Sequence, residues 1–284
     1  MDFSFTSEQE DLRREARAFL EANPSPTMEQ LAELGWVGIL KSDDFTFLDA
    51  AVLFEELGRV LYEGPYVLNE VAAQPGDEVW SIEIDGFVPH LEKVTRVLTA
   101  DMQVSGASGE TVATVDETLG LGRLSPNGTE AAEGTWADVR RRLLAALALE
   151  AVGIGSTVTA MAVEYAGGRE QFGRKIGSYQ AVSHSLVDAY VAVELARSLA
   201  YWAAWAVAVG DERVDLASAA AKSQAAEAAV LACEKSIQAH GGIGFTWEHP
   251  LHRYYKRALW LEGALGYGRE HRAEIAGALL GSSL

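Results

Sequence analysis

The sequence predicts a mainly helical chain that ends in a four-helix bundle, and three observations carry the prediction. From Asp138 onward, helical stretches run at about 138–167, 180–209, 213–240 and 249–280, broken at Gly167-Gly168, Gly210-Asp211 and Gly241-Gly242. Alanine is concentrated in these stretches, as in 217–221 and 225–229, and its small side chain favours both the helix and close helix–helix approach. The charge is divided unevenly. Residues 1–137 hold 26 acids and 8 bases, whereas 138–284 hold 15 of each, so the whole net charge of −18 belongs to the first part. A neutral bundle behind a solvated acidic front is the expected arrangement.

The N-terminal elements follow in order. Ser7-Glu8-Gln9-Glu10 reads as a capping box, and Leu12, Ala16, Phe19 and Leu20 form a helical stripe up to Asn23-Pro24. Met28 to Leu34 is a short helix ended by Gly35, and Leu48 to Leu61 a third, closed by Gly64-Pro65. The period then shortens. Val79–Ile84, Phe87–Pro89, Val94–Thr99, Met102–Ser105 and Thr111–Val115 read as short strands punctuated by glycine. Three domains result: a helical one over 1–76, a reduced β segment and linker over 77–137, and the bundle over 138–284.

Composition excludes several functions. An acidic chain of 284 residues with 49% apolar content has a sizeable core but no basic surface for nucleic acid or anionic membrane. Met1–Phe5 has no basic stretch before an apolar run, and the longest apolar run, about 201–209, is short of the ~20 residues that span a membrane, so a cytoplasmic location is expected. Cys233 cannot form an internal disulfide and is expected in the core.

Three stretches offer chemistry. In Arg169-Glu170-Gln171-Phe172-Gly173-Arg174-Lys175 a basic turn follows a helix end, with an Arg fork suited to a phosphate pair and a Phe suited to a flat ring; an ordinary surface loop is the alternative. In Gln238-Ala239-His240-Gly241-Gly242, paired glycines make a helix C-cap or admit a ligand to the backbone. In Trp247-Glu248-His249-Pro250-Leu251-His252, two histidines three apart lack a third clustered ligand, and no metal is expected. Arg140-Arg141-Arg142 reads as a solvated or interface cluster.

Taken together, the motifs resemble the acyl-CoA dehydrogenase family over nearly the whole chain. Thr6-Ser7-Glu8-Gln9, Leu34-Gly35-Trp36-Val37-Gly38 and Glu55-Glu56-Leu57-Gly58-Arg59 carry the resemblance at the front. Arg169-x-x-Phe172-Gly173, Gln180, Val193-Glu194-Leu195-Ala196-Arg197, Ala203-Ala204-Trp205 and Gln238-x-x-Gly241-Gly242-x-Gly244-Phe245 carry it more specifically behind. The resemblance implies helices, a β-domain and a four-helix bundle, with FAD at a subunit interface. It implies α,β-dehydrogenation of a CoA thioester, a glutamate removing the α-proton and the flavin N5 taking the β-hydride. It assigns Arg169, Phe172, Gln238, Gly241 and Gly242 to the ADP portion of FAD.

The departures are as informative. The family's usual base falls here on Leu265, and the alternative position near the start of the bundle falls on Leu143 or Leu144; leucine cannot take a proton. The Thr, Ser and Trp segments that hold the flavin ring have no counterpart between Val79 and Val115, where only Trp80 remains. The chain therefore resembles the short subunit of heteromeric (α2β2) actinobacterial acyl-CoA dehydrogenases that shorten steroid side chains, in which a longer partner supplies the base and most of the acyl-CoA site. Three alternatives stand beside this: a self-sufficient homomer with a base relocated to Glu262 (Glu150 matching less well), a cofactor-free assembly subunit, and an oxidase or nitroalkane-type relative.

Overall fold

A computed structural model describes residues 4–281 apart from Ala73, Pro75, Pro126 and Asn127, so Met1–Phe3 lie outside the described residues. Helix α1 (Ser7–Ala22) is capped one residue earlier than its sequence suggests. The Thr6 hydroxyl accepts from the Gln9 N–H at 3.2 Å, and the Thr6 N–H donates to the Gln9 side chain at 3.2 Å. Two overlapping frames satisfy the capping-box pattern. The Thr6 frame wins because Gln9 is buried and also donates to Asp49 Oδ1 at 3.0 Å, a tertiary contact that the Ser7 frame would not place. Helices α2 (Met28–Glu33) and α3 (Phe47–Arg59) carry equivalent boxes at Thr27 and Thr46.

A further helix, α4 (Tyr66–Ala72), was not legible, because Gly64-Pro65 reads as a stop. Pro65 instead occupies a first helical turn, where its missing N–H is no loss, and its carbonyl accepts from the Asn69 N–H at 2.8 Å. All seven residues of α4 are buried.

The middle segment is a small mixed sheet. Strands β1 (Trp80–Ile82), β2 (Arg96–Leu98), β3 (Gln103–Gly106) and β6 (Glu130–Ala131) lie side by side in that order, β1 and β2 parallel, the rest antiparallel. Strands β4 (Gly109–Thr111) and β5 (Gly122–Leu124) form a separate pair. The strand expected at Phe87–Pro89 is reduced to isolated bridges, Ile84 with Phe87 across the Asp85-Gly86 turn and Val88 with Gly122. The strand expected at Thr111–Val115 ends at Thr111, where pairing with Gly122 runs out.

The bundle contains α5 (Trp136–Gly168), α6 (Gln180–Val209) and α7 (Val214–His240), with turns where the glycine pairs placed them. The fourth helix is not continuous. It divides into α8 (Leu251–Gly263) and α9 (Gly268–Leu280), because Leu265 and Gly266 take left-handed φ values of 60° and 105°, and Asp85 Oδ2 accepts the Leu265 N–H at 2.9 Å. Helix α5 is the axis of the molecule, packed by α3, α6 and α7 and touching α4 and α8. It is long and apolar enough to cross a membrane, yet 83% of its most apolar stretch is buried within this chain. A helix buried on all sides has no polar face to keep.

Several acids of the N-terminal part are not solvated, contrary to the expectation from composition. Glu55 and Glu56 on α3 are 1% exposed. Glu55 accepts from Arg197 and from the Tyr201 hydroxyl (2.7 Å) on α6, and Glu56 takes a forked pair from Arg17 at 2.6 and 3.0 Å. The Glu55 contacts bolt α3 to the bundle, and the Glu56 pair ties α1 to α3.

Two glycines let α3 and α5 touch backbone to backbone. A Cβ at Gly153 would overlap the Glu55 carbonyl, and one at Gly58 would overlap that of Glu150. Gly153→Ala gains up to about 1 kcal/mol of helix propensity but overpacks a rigid contact. A net loss of about 1–2 kcal/mol is expected, read as a lower urea midpoint with unchanged slope.

Candidate functional site

The basic turn after α5 is a β-hairpin. The Arg169 N–H still bonds to the Tyr165 carbonyl at 2.8 Å, after which β7 (Glu170–Gln171) pairs with β8 (Arg174–Lys175). Phe172 and Gly173 form the two-residue tip, with φ values of 53° and 77°. Positive φ at both positions is what such a tight hairpin demands. Glycine meets it freely, but phenylalanine does so under strain. The Phe172 ring is 93% exposed, so no burial offsets that strain. The hairpin is braced from below: the Tyr179 hydroxyl donates to the Gln171 carbonyl at 3.1 Å, and the Arg174 guanidinium lies 3.8 Å over the Tyr179 ring. Among the described residues, Arg169, Arg174 and Lys175 form no ion pair with a carboxylate; all three are exposed.

The paired glycines lie at the same end of the bundle. Ala239, at the end of α7, packs on the cluster of Ala162, Ala166 and Leu186 together with Ile176 from the hairpin base. Gly241 has φ 61° and ψ −137°, a conformation reserved for glycine, and its N–H caps the carbonyls of Ile237 and Gln238. Nothing lies within 4 Å of where a Cβ would stand on Gly241 or Gly242, and Gln238 is exposed. Arg169, Phe172, Gln238, Gly241 and Gly242 are thus brought to one end, with cationic donors, an open backbone and an exposed ring. That donor set fits a diphosphate with an adenosine attached.

The interior is closed. Leu143 and Leu144 are 0% and 1% exposed within α5. Farther along α5, Glu150 accepts from Arg257 at 2.5 Å; Arg257 also donates to Asp116 Oδ2 at 2.9 Å and to Thr118 Oγ1 at 2.7 Å. Arg257 is 2% exposed, and these two carboxylates hold its guanidinium charged despite burial. The adjoining cavity, whose lining includes His90, Leu147, Glu150, Arg257 and Trp260, measures about 20 Å³. That is room for one water, not for a flavin ring or an acyl chain.

The other base position, Leu265, sits in the left-handed break between α8 and α9. Glu262 lies on α8 before that break and Leu265 within it, so the one-turn spacing does not place them on a common helical face. Glu150 is committed to Arg257. His249 and His252 do not converge on a metal: His249 tilts against His240 at 4.5 Å and His252 meets Trp247 edge-on at 4.6 Å. Among the described residues no three His, Cys, Asp or Glu side chains gather as metal ligands. Cys233 is buried, and burial pushes its thiol pKa up.

Helical front, small sheet and long bundle define a three-part, mainly helical architecture with an exposed cation-and-ring surface at one bundle end. The model of the acyl-CoA dehydrogenase C-terminal domain matches residues 128–280, and the chain belongs to the acyl-CoA dehydrogenase family. It is 36% identical to acyl-CoA dehydrogenase IpdE2 of Mycobacterium tuberculosis over 234 residues, 74% of this chain and 71% of that protein. It is 30% identical to IpdE2 of Mycolicibacterium smegmatis over 310 aligned positions, 93% and 96% respectively. A chain of the ChsE4-ChsE5 complex from Mycobacterium tuberculosis superposes with a TM-score of 0.86 at 22% identity, covering 100% of both. A variant of the Tcur3481-Tcur3483 steroid ACAD gives 0.78 at 21%, covering 96% and 97%. At these identities the structural likeness is one of fold.

The sequence reading missed Arg257 and Lys222. Arg257 lies on the stripe Leu251, Tyr254, Ala258, Leu261, and a cation on an apolar stripe is the available signal. Lys222, on α7, is 1% exposed and its amine has no hydrogen-bond partner. Burial lowers its pKa to about 8, against opposing attraction from Asp85 and Glu262. Between pH 8 and 10.5 the unfolded chain binds the proton that the folded chain has released, so this group's contribution to stability rises with pH across that window. Lys222→Met is therefore expected to stabilise the protein by up to about 3 kcal/mol below pH 8, the gain fading towards pH 10.5. Denaturant titrations of both proteins across that range check it.

Proposed function

We propose that this chain is the short subunit of a heteromeric FAD-dependent acyl-CoA dehydrogenase. In this reading it completes the ADP half of an FAD site in a longer partner that supplies the base and the flavin-ring pocket. One contrast carries the reading. The hairpin and the Gly241-Gly242 cap present exposed cations, open backbone and an exposed ring to the outside, while Leu143 is fully buried and the cavity lined by Leu147, Glu150 and Arg257 has room for about one water. Exposed Phe245 (73%) and Trp247 (77%) follow Gly241-Gly242, and a cluster of exposed aromatics on a structured loop marks a surface to be covered. Two structural neighbours support two finer points: a pair of different subunits, as in the ChsE4-ChsE5 complex, and a steroid-derived acyl group, as in the Tcur3481-Tcur3483 steroid ACAD. An α2β2 assembly with one FAD per heterodimer follows.

When bound, FAD supplies the acceptor for the hydride from the β-carbon of the thioester. This chain's own part is to hold the cofactor's diphosphate with Arg169, to leave room for it at Gly241 and Gly242, to offer Gln238 as donor and acceptor, and to shield it with Phe172.

Purified alone, the chain is expected to hold substoichiometric flavin and to turn over no acyl-CoA; purified with its partner, the complex holds one FAD per heterodimer. Stoichiometric FAD and dehydrogenation by the lone chain would overturn the proposal. Arg169→Ala in the complex should cost about 1.5–3 kcal/mol of FAD affinity, roughly 10- to 150-fold, by loss of a charge-assisted bond to phosphate. An unchanged affinity would point to a cofactor-free assembly subunit. Glu262→Gln in the same complex should leave the turnover number and flavin content within twofold of wild type; a collapse of turnover at full flavin content would identify Glu262 as the base.

A further inference from the structure

Resting on the proposed ADP half-site, we infer that a stack of three rings, Tyr165, His240 and His249, is the positioning device that sets Arg169 against Gly241-Gly242. The half-site comes from two helix ends that share no covalent link shorter than the whole of α6 and α7. Something must hold their spacing to within the reach of a diphosphate, since a misplacement of about 1 Å forfeits charge-assisted geometry.

The stack does this directly. Tyr165 lies in the last turns of α5, and its carbonyl accepts the Arg169 N–H at 2.8 Å. Its ring lies 4.4 Å from the His240 ring at an interplanar angle of 24°, a stacked pair. His240 is the last residue of α7, and the next residue is Gly241. The arginine is thus one hydrogen bond from one ring, and the glycine one peptide bond from the other. The His249 ring lies 4.5 Å from that of His240, tilted at 54°, and brings in the turn ahead of α8.

The middle ring is fixed in orientation. Nδ1–H of His240 donates to the Ser236 carbonyl at 2.7 Å, which holds the imidazole over its own helix end. Ser236 in turn donates from Oγ to the Val158 carbonyl of α5 at 2.8 Å, two helical turns before Tyr165. Beside the apolar packing of Ala239 near Ala162 and Ala166, helices α5 and α7 are tied at this end by two rungs, one polar at Ser236 and one aromatic at His240. The aromatic rung is the one nearest the half-site. His240 is 5% exposed, so its ring acts through its neighbours; it is a positioning residue, and no contact with the cofactor is assigned to it.

The test is FAD affinity of the reconstituted complex, measured by titrating cofactor-stripped protein and following flavin fluorescence, with Arg169→Ala as the reference for the half-site itself. Tyr165→Leu should weaken FAD about tenfold, and Tyr165→Phe, which keeps the ring, should stay within twofold of wild type. The Y165L/H240L pair should be no weaker than the worse single variant, because either change removes the same stack. Normal affinity for Y165L, losses that multiply in the double variant, or a Y165F loss as large as that of Y165L overturns the stack, provided Arg169→Ala still weakens binding. Normal affinity for Arg169→Ala instead removes the half-site and the inference with it. Should Y165L not assemble with the partner, Tyr165→Trp takes its place: affinity within threefold of wild type supports ring stacking, and a tenfold loss overturns it.

Discussion

A single buried guanidinium organises the centre of this molecule. Arg257 reaches Glu150 on α5 and Asp116 and Thr118 on the irregular segment between β4 and β5. Three of its donors have acceptors, which is the condition under which a buried ion pair is tolerable at all. The ties join parts that have little else in common: the bundle axis, the α8 helix and the outer flank of the small sheet. Without them the segment at 116–121 would have only Leu119 and Leu121 to anchor it, since Glu117 and Gly120 face solvent. The same hub uses the space beside Leu147, so this part of the centre is packed core, and exposed cations and open backbone are displaced to the surface.

That displacement agrees with the helix chemistry at the bundle end. Helix α5 is buried through its middle, and three of its polar side chains there meet partners: Glu150 with Arg257, Thr157 with the Arg59 carbonyl, and Ser156 with Arg197. Its last turns reach the hairpin, where burial ceases and the cations begin. The strained φ of Phe172 belongs to the same logic. A tip residue that is 93% exposed gains nothing from the fold for adopting a left-handed backbone, so no burial offsets the strain of Phe172.

Much of this was legible from residue pattern. The long bundle helices were set by glycine breaks and alanine spacing, and the turns that carry Arg169, Phe172, Gly241 and Gly242 fall at the breaks those glycines marked. What escaped was set by tertiary context. Pro65 looks like a stop and is a start, because only the packing of α4 decides which. Thr6 outcompetes Ser7 as a cap because Asp49, forty residues away, engages Gln9. The break at Leu265 depends on Asp85, in a turn 180 residues earlier, accepting its N–H. Glu55 and Glu56 counted as surface charge until Arg197, Tyr201 and Arg17 were placed beside them. Local propensity cannot see partners that distant in sequence.

A half-site has a thermodynamic consequence that a whole site lacks. If FAD touches two subunits, its binding free energy is shared between holding cofactor and holding the assembly, and each stabilises the other by the same factor. Cofactor bound only by the assembled state adds RT ln(1 + [L]/Kd) to association, about 2.7 kcal/mol at a free concentration one hundred times Kd. On the proposed reading, the short subunit need not bind flavin well by itself. It needs only a preorganised surface, and four contacts stiffen that surface: the braced hairpin, the Gly241 cap, the Ser236 rung and the ring stack. Each of them lowers the ordering cost at the moment of assembly, which is the form in which a subunit without a base of its own can still contribute to the rate of the whole enzyme.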